Sequence, residues 1–240
     1  MKRGNWVSFL PFYLLVVIIF LGAAHLGSET VSTVVQLRPV ERKNCIVIDA
    51  GHGGIDGGAT SCTGVLESHI NLEIALRLEQ VFHLLGYETK MIRRIDESIY
   101  TEGNTIASQK VSDLKERVRI CNNTAGAVLV SIHQNTYPDR RYSGAQVFYT
   151  ADSESKKLGQ TLQTKLCSTL NSGSNRKAKQ ASGIYLMEHI RCPGVLIECG
   201  FLTNPVEEEK LRNDEYQKRL CAAIASALSC YLGLDHTGSN

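Results

Sequence analysis

Residues 44–58 read NCIVIDAGHGGIDGG, and this stretch limits the fold more than any other. Cys45 to Ile48 form an apolar, β-branched run, which reads as a buried strand. The strand stops at Ala50 and Gly51, and the glycines beyond can take backbone angles closed to other residues. His52 therefore sits at a strand tip in a bare loop that a ligand can approach closely. Open α/β sheets place their chemistry outside the carboxyl ends of strands. A single loop histidine is more often merely solvated, so its meaning depends on what else reaches the same edge.

Periodicity supplies the rest of the fold. Ile70, Ile74, Leu78, Val81, Phe82 and Leu85 recur every three or four residues and predict a helix, with Ser68 as N-cap and Gly86 as stop. Residues 87–92 read as a second strand and residues 93–110 as a long polar loop. Leu114, Val118 and Cys121 mark a second helix, and residues 127–132 a third strand. Residues 144–149, 183–187 and 194–198 read as further strands, with a helix through Leu158, Leu162 and Leu166. Helices over 205–211 and 216–232 close the pattern. Strands alternating with helices predict a single α/β domain over 44–232, with a mostly parallel twisted sheet of about six strands flanked by helices.

The segments outside that domain are of another kind. Lys2 and Arg3 precede an apolar run over 7–24, broken by Ser8 and Pro11. Residues 1–26 therefore read as a signal peptide or an uncleaved membrane anchor, and either exports the remainder. Residues 27–43 read as a polar linker and 233–240 as a tail. A net charge of +2 is too small to point to nucleic acid. Eight cysteines in an exported chain raise the question of disulfides. The absence of a CxxC pair and the size of the domain favour mostly free thiols, with room for one or two bridges.

Four chemically active groups are predicted to meet at the edge that carries His52. His133 ends the third strand and Glu198 ends the last, and parallel neighbours bring such ends together. Glu67 opens the first helix, which returns from the same edge. Two histidines and a carboxylate are a catalytic zinc set that leaves a fourth position for water. Glu198 follows an apolar strand, where desolvation raises a carboxyl pKa, and it suits the proton carrier of a hydrolysis. Each residue alone has a plainer reading. Glu67 also suits a helix N-terminus, His133 a core edge, and Glu198 an ion pair with Arg93, Arg94 or Arg176. Cys199 is predicted to point to the opposite face of the strand from Glu198. The dinucleotide fingerprint lacks its third glycine, and there is no Walker loop, GxSxG elbow or HExxH.

Further stretches carry a family resemblance: GVLE at 64–67 with Asn71 and Leu72, Arg93 and Arg94 with Asp96, LKERV at 114–118, VSIHQN at 130–135, GAQVF at 144–148, and PGVLIECGFLTN at 193–204. Together with the glycine loop, this ordered set resembles the zinc-dependent N-acetylmuramoyl-L-alanine amidases of bacterial cell-wall remodelling, from about Asn44 to Leu232. The resemblance implies zinc on His52, Glu67 and His133 and a catalytic Glu198. It implies peptidoglycan as substrate, cleaved between N-acetylmuramic acid and L-alanine in the cell envelope. A short leader and a bare catalytic domain look most like the germination-specific, spore-cortex type. No extra helix between His133 and Glu198 plugs the site, so the analogy leaves control to an envelope partner that helps load zinc. Arg176 and Lys177 are candidates to meet stem-peptide carboxylates, although a solvated basic turn is the plainer reading. Two rivals remain at this stage: a non-catalytic peptidoglycan-binding module of the same fold, and a zinc peptidase cutting within the stem peptide.

Overall fold

A computed structural model of the chain describes residues 44–234. The expected leader (1–26), the linker (27–43) and most of the expected tail lie outside the described residues. Among the described residues, no helix is long and apolar enough to cross a membrane.

In chain order the elements are β1 (Cys45–Ala50), α1 (Glu67–Leu84), β2 (Glu88–Met91), α2 (Ile106–Asn122), β3 (Ala127–Asn135) and β4 (Gln146–Tyr149). There follow α3 (Ser153–Leu170), β5 (Lys179–Gln180), α4 (Tyr185–His189), β6 (Gly194–Phe201), α5 (Pro205–Leu211) and α6 (Asp214–Leu234). The six strands form one sheet in the order β2-β1-β3-β6-β4-β5. β2, β1, β3 and β6 run parallel, and β4 pairs antiparallel with β6. The mostly parallel α/β architecture is thus as the sequence predicts.

Strand alternation divides the core into two layers. Ile46, Ile48, Val128, Val130, Ile132, Val195 and Ile197 face α1, α3 and α6. Val47, Leu129 and Leu196 face the thinner layer, where Cys121 of α2 packs with Leu186 and Met187 of α4. Cys199 joins the first layer, away from Glu198, as alternation requires. All eight cysteines are free.

Four local expectations need correction. Residues 183–187 are not a strand: Tyr185–His189 is a short helix. A four-residue apolar run does not distinguish the two periods, and here Leu186 and Met187 pack sideways into the thin layer. Ser68 is not the cap of α1; Leu66 holds that position without a side-chain bond. The first amides of the helix are taken instead by loop carbonyls, Glu67 N–H donating to Ala59 and Ser68 N–H to Gly57. α2 starts at Ile106, inside the expected loop, because Thr105 and Ser108 form a reciprocal capping box. The two-residue β5 has no counterpart among the expected strands.

Candidate metal centre

Parallel pairing brings the predicted residues to one edge. β1 and β3 pair up to Ala50 and Ile132, so His52 lies just past the end of β1 beside His133. His133, like Glu198, lies inside its strand and does not end it as the sequence predicts. β3 runs on to Asn135, and His133 is the direct cross-strand partner of Glu198 on β6. α1 packs against β1 and β3 and returns Glu67 to the same place.

The ligand atoms of His52, Glu67 and His133 all lie within 4.8 Å of one another. Glu67 is the hub. Its Oε2 lies 3.4 Å from His52 Nε2, and its Oε1 lies 3.1 Å from His133 Nδ1. Glu67 also accepts from the backbone N–H groups of Ala59 and Gln134 and from Asn71 Nδ2. Burial alone would raise the Glu67 carboxyl, but the two imidazoles hold it far below the usual carboxylate range. The two rings meet edge to face, with centroids 4.9 Å apart.

His52 is held at a backbone φ of +60°, a left-handed conformation uncommon outside glycine. Its Nδ1 lies 2.8 Å from Asp56 Oδ2, and Asp56 Oδ1 accepts from Lys110 Nζ at 2.8 Å. Burial works against the imidazolium, but Asp56 and Glu67 together push the His52 pKa up to about 9. Two glycines make room for this cluster. A Cβ on Gly51 would fall 2.2 Å from His133 Nε2, and one on Gly58 would fall 2.7 Å from Glu67 Oε2.

Two buried arginines shape the loop from beneath. Arg93 donates to the carbonyls of Ala50, Gly51 and Ser68. Arg117 of α2 pairs with Asp49 and Asp113 and donates to the carbonyl of His52 at 2.8 Å. Burial would raise Asp49, but Arg117 holds its carboxyl below the usual range.

Glu198 differs from these groups. Its Oε2 is buried and has no hydrogen-bond partner. Burial pushes its carboxyl pKa up. Arg93 is committed to carbonyls, Arg94 to Glu79, and Arg176 to the Ser143 carbonyl, so the ion-pair readings of Glu198 are not realised. The donor set suits a divalent metal, and an orphaned carboxylate oxygen beside it is what a reacting water would satisfy. A cavity of about 200 Å³ opens along this edge, lined by His52, Asp56, Lys110, Arg117, His133 and Leu186 among others. Arg176 and Lys177 lie outside its lining, on the turn after α3.

Sequence reasoning did not single out Asp56, Lys110 or the roles of Arg117 and Asp49. The one available signal was an acid four residues after His52 within the glycine loop.

A family profile described as N-acetylmuramoyl-L-alanine amidase matches residues 46–230. The chain is 34% identical to the germination-specific N-acetylmuramoyl-L-alanine amidase of Bacillus subtilis, over 96% of this chain and 95% of that protein. Its fold is similar to the CwlD amidase of Clostridioides difficile, solved in complex with the GerS lipoprotein, with a TM-score of 0.77 and 37% identity. That match covers 80% of this chain and 100% of the other. It is also similar to an N-acetylmuramoyl-L-alanine amidase of Clostridium difficile 630, with a TM-score of 0.69 and 31% identity over 82% of this chain and 100% of that one.

Proposed function

We propose how a chain that belongs to the N-acetylmuramoyl-L-alanine amidase family, and is a hydrolase of that class acting on peptidoglycan, carries out its reaction. His52, Glu67 and His133 hold zinc, and Glu198 is the catalytic carboxylate. The convergence of three ligand atoms within 4.8 Å carries this reading. Zinc bound there supplies a Lewis acid that acidifies water and polarises the lactyl carbonyl of the muramic residue. Glu198 takes the proton of the attacking water at its unpartnered oxygen and returns it to the amide nitrogen, which leaves as the amino terminus of L-alanine. A carboxyl raised by burial accepts and gives up a proton near neutral pH more evenly than an exposed one. Asp56 holds Nδ1 of His52, which leaves Nε2 to face the metal. Arg93 and Arg117 fix the carbonyls of the loop that carries His52.

The test uses muropeptides, zinc and purified protein. Mass analysis showing stem peptides with free L-alanine amino termini supports the amidase, and cuts within the stem favour a peptidase. No cleavage together with retained muropeptide binding would mean a binding module. Glu198→Gln is expected to keep zinc and lose about 10²–10⁴ in kcat, and His52→Ala to lose both zinc and activity. Loss of zinc in Glu198→Gln would reverse the assigned roles.

The similarity to a germination-specific enzyme favours a place in spore-cortex maturation, outside the cytoplasm. The basic and apolar pattern over residues 1–26 supports export or anchoring there. One similar amidase was solved in complex with a lipoprotein, which supports an envelope partner here; the role assigned to that partner is to promote zinc loading. Full zinc occupancy and activity of the purified chain alone would defeat the partner.

A further inference from the structure

The last turn of β6 carries an aromatic group that the reaction does not use. β3 and β6 pair in register at His133 and Glu198, then slip, so that Asn135 pairs with Phe201. Between these pairs one residue of β3, Gln134, opposes two of β6, Cys199 and Gly200, which is a bulge. Paired residues of a sheet point to the same face, and His133 and Asn135 share a face by alternation. The bulge thus turns Phe201 to the face that carries Glu198, about 7 Å further along the strands. Without it, Phe201 would point with Cys199 into the opposite core layer.

Phe201 is only 3% exposed, yet it belongs to neither core cluster. Tyr142 covers it, with ring centroids 6.2 Å apart, and Tyr137 packs on Tyr142 at 4.3 Å. Arg176 lies over the Phe201 ring, 5.4 Å from its centroid. Tyr137 and Tyr142 are each 45% exposed, adjoining rings open to solvent. Their connection is tied down. Tyr137 N–H donates to Thr203 Oγ1, and Asn204 Nδ2 donates to the Tyr142 carbonyl. The result is a fixed file of rings that starts one pleat beyond the catalytic carboxylate and ends in water.

We propose that Tyr142 and Tyr137, seated on Phe201, form a saccharide platform for the glycan strand that carries the scissile stem peptide. This rests on the amidase reading. The muramic residue at Glu198 is one sugar of a polymer, so a neighbouring N-acetylhexosamine must lie close by along the same edge. The C–H face of a pyranose is apolar and its rim is hydroxylated. A tyrosine presents the complementary pair, an apolar ring and a polar tip. Cations do adjoin the patch: Arg141 is paired with Asp139, but exposed Arg140 makes no ion pair among the described residues and Arg176 is held only by the neutral Ser143 carbonyl. Capture of the stem peptide's carboxylates is therefore the competing outcome, and binding of peptide-free glycan separates it from the platform.

The test compares two substrates: glycan strands bearing stem peptides, and a single N-acetylmuramoyl peptide with no neighbouring sugar. For Tyr142→Ala and Tyr137→Ala, the preference for the strand, read as the ratio of the two kcat/KM values, is expected to fall about two- to tenfold. The loss should appear mainly in KM, and Tyr→Phe at either position should restore most of it. A second arm uses metal-free protein and glycan strands stripped of peptide, with affinity read by titration calorimetry; the alanine variants should bind more weakly by a similar factor. Unchanged substrate preference with unchanged glycan affinity would overturn the platform, whatever else the patch binds. If the wild type cleaves neither substrate, the amidase reading fails instead, and the binding arm still decides the platform.

Discussion

At the scale of single residues, the site is a competition between protons and metal. His52 has its pKa pushed up to about 9 by Asp56 and Glu67, so in the metal-free protein it is protonated at neutral pH. A metal must displace that proton. Zinc affinity should therefore rise about tenfold per pH unit between pH 7 and 9 through His52, with about one proton released. Calorimetry in buffers of different ionisation heat measures the release, and a pH-independent affinity would refute it. Asp56→Asn removes the charge behind His52 and should weaken zinc binding about 10–100-fold. Glu198 is also shifted upward, but in an acid that shift disfavours the charged form. Its folded pKa is raised, so the ionised form burdens the fold increasingly as pH rises from the ordinary carboxylate range through the folded value. Metal-free Glu198→Gln should melt above the wild type at neutral pH, and the gap should shrink in acid. A gap that grows in acid would mean that Glu198 is stabilised as a carboxylate.

Among the elements, β1 and α2 are joined by one buried ion pair. Arg117 on the helix meets Asp49 on the strand, and Ser131 on β3 donates to the same carboxylate at 2.6 Å. Arg117→Met should cost about 3–5 kcal/mol by stranding Asp49, lowering Tm by roughly 6–20 °C. Adding Asp49→Asn should restore part of that. If the double variant is no better than the single, the stranded charge is not the cause. The pair also shows where sequence reading stops. His52, His133 and Glu198 are legible because each follows the apolar run of its strand, although β3 and β6 continue past His133 and Glu198. Arg117 and Asp49 are 68 residues apart, and no local period links a helix arginine to a strand acid. The early start of α2 was hidden for a local reason: its capping box uses Ser108 where the usual signature has Glu or Gln. The short α4 was misread because so few residues cannot establish a period.

For the whole molecule, the three proposed ligands come from separate parts of the chain: a loop after β1, the first turn of α1, and β3. The sequence made their convergence arguable only through parallel topology, since neither spacing nor composition places Glu67 beside His133. No unfolded chain presents this set together, so zinc should favour the folded state and stabilise it by mass action, less whatever the eight free thiols bind once the chain unfolds. With free zinc at a thousand times Kd, the gain is about 4.1 kcal/mol, and each further tenfold adds about 1.4 kcal/mol. Melting curves of the wild type should therefore climb steadily with zinc and drop to a zinc-independent value in chelator. His133→Ala should remove most of this dependence, because the remaining pair lacks the third ligand. Glu198→Gln should keep the dependence intact, since Glu198 is not one of the three grouped ligand residues and is proposed to act on the water. A wild type whose melting ignores zinc, or a His133→Ala variant that still follows it, would place the metal elsewhere on the chain.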